Sequence, residues 1–183
     1  SDRRNKEPVR NIVICLLSGI LSVALSGYLE QLVMPYIGNN TILTYIFAFI
    51  EEISKMAIFF LFVFDNKYYD DMYDGLVYMM LIALSFAGLE NVMYAFSEST
   101  IQKSISLSIM RDITTIPLHV ICGIIIGYFL SLSSFSKNKE RKYINILLAL
   151  LLSSALHGTF NSLMNLLGSL NINYNSSVQV ILF

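Results

Sequence analysis

Long apolar runs separated by short polar stretches dominate the hydropathy pattern of the chain. Five of these runs are long enough to cross a bilayer, which takes about 20 helical residues. They cover residues 11–34, 41–64, 74–96, 112–132 and 143–168. Residues 97–108 are more polar and are predicted to form a loop or an interfacial stretch. The pattern therefore predicts an all-α fold: a polytopic transmembrane helix bundle of about five spans, forming one integral membrane domain over residues 1–183.

The C-terminal tail is less clear in this pattern than the five spans. Residues 171–183 are rich in asparagine and then apolar. They either begin a further membrane helix or lie against the bundle, and the sequence leaves both possibilities open.

The composition is that of a membrane protein, and the net charge bears on the kind of partner expected. The chain is 55% hydrophobic and 14% charged, with a mean hydropathy of +0.63, whereas soluble domains carry about 25% charged residues. A net charge of −1 gives no indication of a nucleic-acid partner. Cys15 and Cys122 both lie in apolar runs, so they are predicted to be small packing residues.

The basic residues are distributed unevenly between the two sides of the predicted bundle. If the N-terminus is cytoplasmic, nine of the 12 basic residues flank the spans on that side: Arg3, Arg4, Lys6, Arg10, Lys67, Lys137, Lys139, Arg141 and Lys142. Lys103 and Arg111 then lie outside. Cytoplasmic loops carry an excess of Lys and Arg. We therefore expect a multi-pass protein with a cytoplasmic N-terminus, and its low-charge composition, rich in Ile, Asn and Tyr, fits a bacterial plasma membrane.

The second span contains three ionisable residues near its midpoint, Glu51, Glu52 and Lys55. Each costs about 2.5–3.5 kcal/mol at a helix centre facing lipid, so all three are expected to face protein or water. Lys55 can reach either carboxylate, since it follows them by four and three residues. The glutamates point about 100° apart, so one can pair with Lys55 while the other faces a cavity. The alternative is an ion pair that only fixes helix packing.

Each of the next three spans also holds polar residues inside its apolar run. The third has Glu90 and Asn91, the fourth has His119 just after Pro117, and the fifth has His157 and Asn161 one turn apart. Their positions along the spans place all these groups in the middle or outer half of the bilayer. We therefore expect them to converge on one water-filled pocket that opens outward. Gly123 and Gly127, by contrast, indicate a packing face.

The order of these motifs resembles the PrsW family of intramembrane proteases, relatives of the type II CAAX prenyl endopeptidases. The matching motifs are Glu51-Glu52-x-x-Lys55, Phe86-x-x-x-Glu90, His119 and His157-x-x-x-Asn161, within a core of about residues 41–168. CAAX-type relatives carry an arginine one position later in the first motif and a histidine in place of Glu90. The resemblance implies cleavage of a single-span, membrane-anchored substrate, an anti-sigma factor, on its extracytoplasmic side.

Peptide hydrolysis needs an activated water, a stabilised oxyanion and a proton for the leaving amine. We predict Glu51 or Glu52 as the general base, with Glu90 or His119 helping to hold the water. His157 and Asn161 are predicted to donate to the oxyanion or to protonate the leaving group. Lys55 and Asn91 are predicted supporting residues.

A metal ion is the rival within the protease class, although no cofactor is favoured. Its ligands would be Glu52, Glu90, His119 and His157, a set that suits Zn²⁺ with an open position for water. The HExxH motif of many metalloproteases is absent from the sequence.

Two other classes of function remain alternatives. A proton- or cation-coupled transporter could use the same buried groups as a relay, although the spans show no inverted repeat. A non-catalytic scaffold could instead bind a partner's transmembrane helix in the bilayer.

Overall fold

The computed structural model describes residues 8–37 and 41–169, and these residues form five α-helices and one short 3₁₀ helix. Their bounds are α1 Val9–Val33, the 3₁₀ helix Met34–Tyr36, α2 Thr41–Phe62, α3 Met72–Ser97, α4 Ile101–Ser134 and α5 Lys139–Ser169. The fold class predicted from the sequence, an all-α polytopic bundle, is confirmed. The predicted turn at residues 38–40, the tail at 171–183, and Arg3, Arg4 and Lys6 lie outside the described residues.

Four of the described helices are long and apolar enough to cross a membrane by length and composition: Val9–Tyr36, Met72–Ser97, Ile101–Ser134 and Lys139–Leu167. Helix α2 has 22 residues, a length of about 33 Å at 1.5 Å per residue, but it carries three charges. Between Ile50 and Phe59 every residue except Ile53 and Ala57 is buried. Protein therefore surrounds the charged middle of α2.

Of the two predictions for residues 97–108, a loop or an interfacial stretch, the loop is wrong for most of this length. Only residues 98–100 separate α3 from α4. The Thr100 side chain caps α4 by accepting a hydrogen bond from the Lys103 N–H, and the Ser104 hydroxyl donates to the Ala95 carbonyl at 2.8 Å. These polar residues therefore begin α4 and connect it to α3. The hydropathy pattern alone predicts a loop there.

The five described helices form a closed ring in the order α1, α3, α4, α5, α2, because each packs mainly against two neighbours. Glycines bring α3 and α4 close together. A Cβ at Gly127 would collide with the Gly75 carbonyl, and one at Gly123 would lie 2.7 Å from the Ala83 Cβ. The prediction that Gly123 and Gly127 form a packing face is confirmed.

One end of the bundle is identified by contacts between helix termini. The Asn66 amide, just after α2, donates to Asn11 near the start of α1 at 2.9 Å, and the Tyr69 and Ser134 hydroxyls lie 3.1 Å apart. An apolar core that includes Phe59, Tyr78, Ile126 and Leu150 lies nearest this end. Farther along the helices, toward the opposite end, the core becomes polar.

Candidate active site

Lys55 connects two helices at the centre of this polar level. Its ammonium donates to Glu52 Oε1 at 2.7 Å, one turn earlier on α2, and lies 3.0 Å from Nδ1 of His119 on α4. None of these three residues is exposed. An ammonium can only donate hydrogen bonds, so Nδ1 of His119 must be the acceptor.

The other side of His119 faces Glu90 on α3. Its Nε2 lies 3.1 Å from Glu90 Oε2, and because Nδ1 accepts from Lys55, Nε2 carries the proton and donates it. The ring of Phe86, one turn before Glu90 on α3, packs against Lys55 and His119. Its ring centroid is 4.4 Å from the Lys55 ammonium and 5.2 Å from the His119 ring. The Phe-x-x-x-Glu motif thus fixes His119 by contact and by hydrogen bond.

His157 on α5, the helix between α4 and α2 in the ring, completes the cluster. Its Nδ1 lies 2.8 Å from Glu52 Oε1, and its ring stands edge-on to His119 with centroids 4.8 Å apart. Since the Glu52 carboxylate accepts the proton of Nδ1, Nε2 of a neutral His157 keeps a free lone pair. That atom is 3.9 Å from Glu51 Oε2, beyond hydrogen-bond distance.

Glu51 differs from the other two carboxylates in its partners. Lys55 bonds Glu52 directly, and Arg111 bonds Glu90 directly at 2.7 Å. Among the described residues, Glu51 is the one carboxylate of the three with no directly bonded cation. Its Oε2 is buried without a hydrogen-bond partner, as is Oε2 of Glu52. Such an atom is costly to bury, so it marks a position for a water molecule, a proton or a cation.

A metal ion fits this cluster only in part. Ligand atoms of Glu51, His119 and His157 all lie within 4.8 Å of one another, and two imidazoles with one carboxylate are a donor set that Zn²⁺ accepts. Glu51 and His157 each offer a free atom. Both nitrogens of His119, however, are already engaged by Lys55 and Glu90, so His119 could bind a metal only by giving up one of those bonds.

The group of residues that could hold a metal ion in the structure differs from the ligand set expected from the sequence. Glu51 takes the place of Glu52, which is held by Lys55 and His157. Glu90 is likewise outside the group, and its Oε2 is bonded by Arg111 and His119. His119 and His157 are common to both sets.

The two predicted asparagines lie outside the hydrogen-bonded cluster. Asn91 faces the α3–α4 seam, where its amide donates to Asp112 at 2.7 Å. Asn161 lies one turn beyond His157 on α5 and is half-buried. Within the described part of the chain, none of the hydrogen bonds of the cluster reaches its amide, which leaves that amide available to another group.

Two residues near the site were missed by the sequence reasoning. The hydropathy pattern places Arg111 in the outer flank of the fourth span, yet it is buried and bonds Glu90. Its position on one face of α4, four and eight residues before Thr115 and His119, could have revealed it. Glu30 on α1 is half-buried and close enough to interact electrostatically with Glu51 and Glu90. As an acid inside the first predicted span, it carried the same signal as Glu51.

Residues 7–183 match the family described as "PrsW family intramembrane metalloprotease". The chain is 30% identical over 166 residues to a protein named Protease PrsW from Clostridioides difficile (strain 630), covering 87% of this chain and 69% of that protein. It is also 26% identical over 172 residues to Protease PrsW of Bacillus subtilis (strain 168), covering 92% and 76%. No solved structure matches the chain.

Proposed function

The chain belongs to the PrsW family of intramembrane proteases, and we propose that it hydrolyses peptide bonds with a water molecule held between Glu51 and His157. The supporting observation is the 3.9 Å separation of Glu51 Oε2 from His157 Nε2. A water between these two free atoms could bond both, as buried waters bridge polar groups elsewhere. No other carboxylate of the cluster lacks a directly bonded cation among the described residues.

Glu51 is the general base in this mechanism. It takes a proton from the water as the oxygen attacks the carbonyl carbon of the scissile bond, and a tetrahedral oxyanion forms. The same proton passes to the leaving nitrogen, and the carbon–nitrogen bond breaks. Asn161, whose amide lies one turn beyond His157, donates to the oxyanion.

The remaining cluster residues hold this arrangement in place. Glu52 bonds Nδ1 of His157 at 2.8 Å and thereby keeps Nε2 directed toward Glu51. Lys55 and Glu90 fix the tautomer of His119 from its two sides. The ring of His119 in turn packs against His157.

A metal ion is the second way in which the same residues could activate water. Glu51, His119 and His157 would hold it, and a bound Zn²⁺ would supply a Lewis acid for water and carbonyl. We favour the carboxylate mechanism because both nitrogens of His119 already have hydrogen-bond partners.

The proposed substrate is a single-span membrane protein of the anti-sigma factor type, cut within the bilayer near its extracytoplasmic side. The described basic residues support this orientation. One end of the bundle carries Arg10, Lys67, Lys137, Lys139, Arg141 and Lys142, and the other carries Lys103. The end rich in basic residues is cytoplasmic by the positive-inside rule, and the polar cluster lies toward the opposite end.

Glu51→Gln tests the proposed base. The chain is purified in detergent and given a single-span substrate, and cleavage is measured on gels and by mass spectrometry. Glu51→Gln keeps the shape of the side chain, so we expect a normal fold and a loss of kcat of about 10²–10⁴-fold. Glu140→Gln, at an exposed position on α5, is the matched control and should cleave normally. Normal cleavage by Glu51→Gln would overturn the mechanism.

Metal removal separates the two ways of activating water. Under the carboxylate mechanism, treatment with 1,10-phenanthroline followed by dialysis should leave kcat unchanged. Loss of cleavage that added Zn²⁺ restores, together with zinc found by elemental analysis of the active protein, would instead assign the water to a metal.

A further inference from the structure

We propose that Arg111 is a positioning residue of the active site, which acts by holding the Glu90 carboxylate against His119. This inference rests on the proposed function, because it concerns the same cluster. The Arg111 guanidinium donates to Glu90 Oε2 at 2.7 Å, and His119 Nε2 lies 3.1 Å from that same oxygen. The residue is 4% exposed.

The surroundings of Arg111 hold its guanidinium in one place. Its guanidinium carbon lies 4.0 Å from the centroid of Tyr94, one turn after Glu90 on α3. A cation over an aromatic face is attracted to it, more so where water is excluded. Arg111 is therefore held between the Tyr94 ring and the Glu90 carboxylate, and Glu90 is in turn hydrogen-bonded to His119.

A continuous series of hydrogen bonds connects Arg111 to the centre of the site. The guanidinium neutralises Glu90 and fixes its Oε2, which accepts the proton of His119 Nε2. That bond keeps the proton on Nε2 and leaves Nδ1 free to accept from Lys55. Without Arg111, Glu90 loses its anchor and the orientation of His119 is no longer determined from that side.

The competing explanation is an ion pair that only joins α3 to α4. A structural pair and a positioning pair both lose stability when one partner is removed. They differ in how the loss of Arg111 combines with the loss of Glu90. If Arg111 acts through Glu90, removing it after Glu90 has been changed should have no further effect on kcat.

The test measures kcat and KM for four variants with the single-span substrate. We expect Arg111→Met to lower kcat about 10- to 100-fold, as misplaced groups do, with KM nearly unchanged. Glu90→Gln should also lower kcat, and the double variant Glu90→Gln/Arg111→Met should match Glu90→Gln alone. Arg141→Met makes the same change at an exposed position of α5 and should cleave normally.

Several outcomes would overturn the inference. They are normal kcat in Arg111→Met, losses that multiply in the double variant, or an effect confined to KM. If Arg111→Met does not fold, Arg111→Lys, which keeps a cation, replaces it in the same comparison. We then expect a smaller loss of kcat, and no additional loss when Arg111→Lys is combined with Glu90→Gln. Activity of Glu51→Gln in the same assay reports separately on the proposed function. An inactive Glu51→Gln beside a fully active Arg111→Met would reject the role of Arg111 alone.

Discussion

Lys55 is the residue whose charge holds the polar cluster together. It is fully buried, and its ammonium contacts Glu52 on its own helix and His119 on α4. The Phe86 ring lies against it as well. Burying an ammonium costs several kcal/mol unless it is paired, so its loss should affect both folding and the site.

Replacing Lys55 tests this role. Lys55→Met keeps an unbranched side chain only one atom shorter but leaves the Glu52 carboxylate buried without its cation. We expect the free energy of unfolding in detergent to fall by about 3–5 kcal/mol, and Glu52→Gln added to Lys55→Met should restore part of it. Lys67→Met, at an exposed position, should change it by less than about 0.5 kcal/mol. A Lys55→Met protein as stable as wild type would show that the pair contributes little.

The sequence predicted the convergence of the ionisable residues but not their pairing. Three glutamates, a lysine and two histidines inside apolar runs are too costly to face lipid, which is enough to bring them together. Helical spacing allowed Lys55 to pair with either Glu51 or Glu52. The choice of Glu52 depends on His157, 105 positions away in the chain, and no local pattern carries that information.

The seam between α3 and α4 sets the position of half of the site. Glu90 comes from α3, whereas Arg111 and His119 come from α4, so their hydrogen bonds depend on how closely the two helices approach. Gly127 packs directly against the backbone of Gly75 on α3, so the contact has no flexible side chain that could yield. Small residues of this kind let membrane helices pack closely.

Gly127→Ala tests that seam. The added methyl group meets the Gly75 carbonyl, so α3 and α4 must separate. We expect a loss of about 1–3 kcal/mol in the free energy of unfolding, accompanied by lower kcat. Gly88→Ala is the matched control, since a Cβ there meets no atom within 4 Å, and it should be neutral or slightly stabilising. Equal effects of the two substitutions would argue against close packing at Gly127.

Helix boundaries were predictable where hydropathy changes sharply. The first, second, third and fifth helices begin within about four residues of their predicted starts, as expected when long apolar runs define them. Helix α4 begins at Ile101 instead of residue 112, because its first turns carry serine, glutamine and lysine on an α-helical frame. Because of that early start, Arg111 lies inside the helix, a position that hydropathy alone does not predict.

At the scale of the whole molecule, the arrangement of charge and site predicts the orientation in the membrane. The described basic residues concentrate at one end of the bundle, near the contact of Asn11 with Asn66. The α3–α4 loop, residues 98–100, lies at the other end. A cytoplasmic N-terminus therefore places this loop outside the cell, on the side toward which the polar cluster is displaced.

Single cysteines labelled in intact bacterial cells measure this orientation. With a membrane-impermeant maleimide, Ser99→Cys in the α3–α4 loop should react in intact cells. Lys137→Cys, between α4 and α5, should react only after permeabilisation, because a cytoplasmic N-terminus places its loop on the inner side. Both positions are exposed. The native Cys15 and Cys122 are fully buried, so the parent chain gives the background. The reverse labelling pattern would place the basic end outside, contradict the positive-inside assignment, and move the proposed cleavage to the cytoplasmic half of the bilayer.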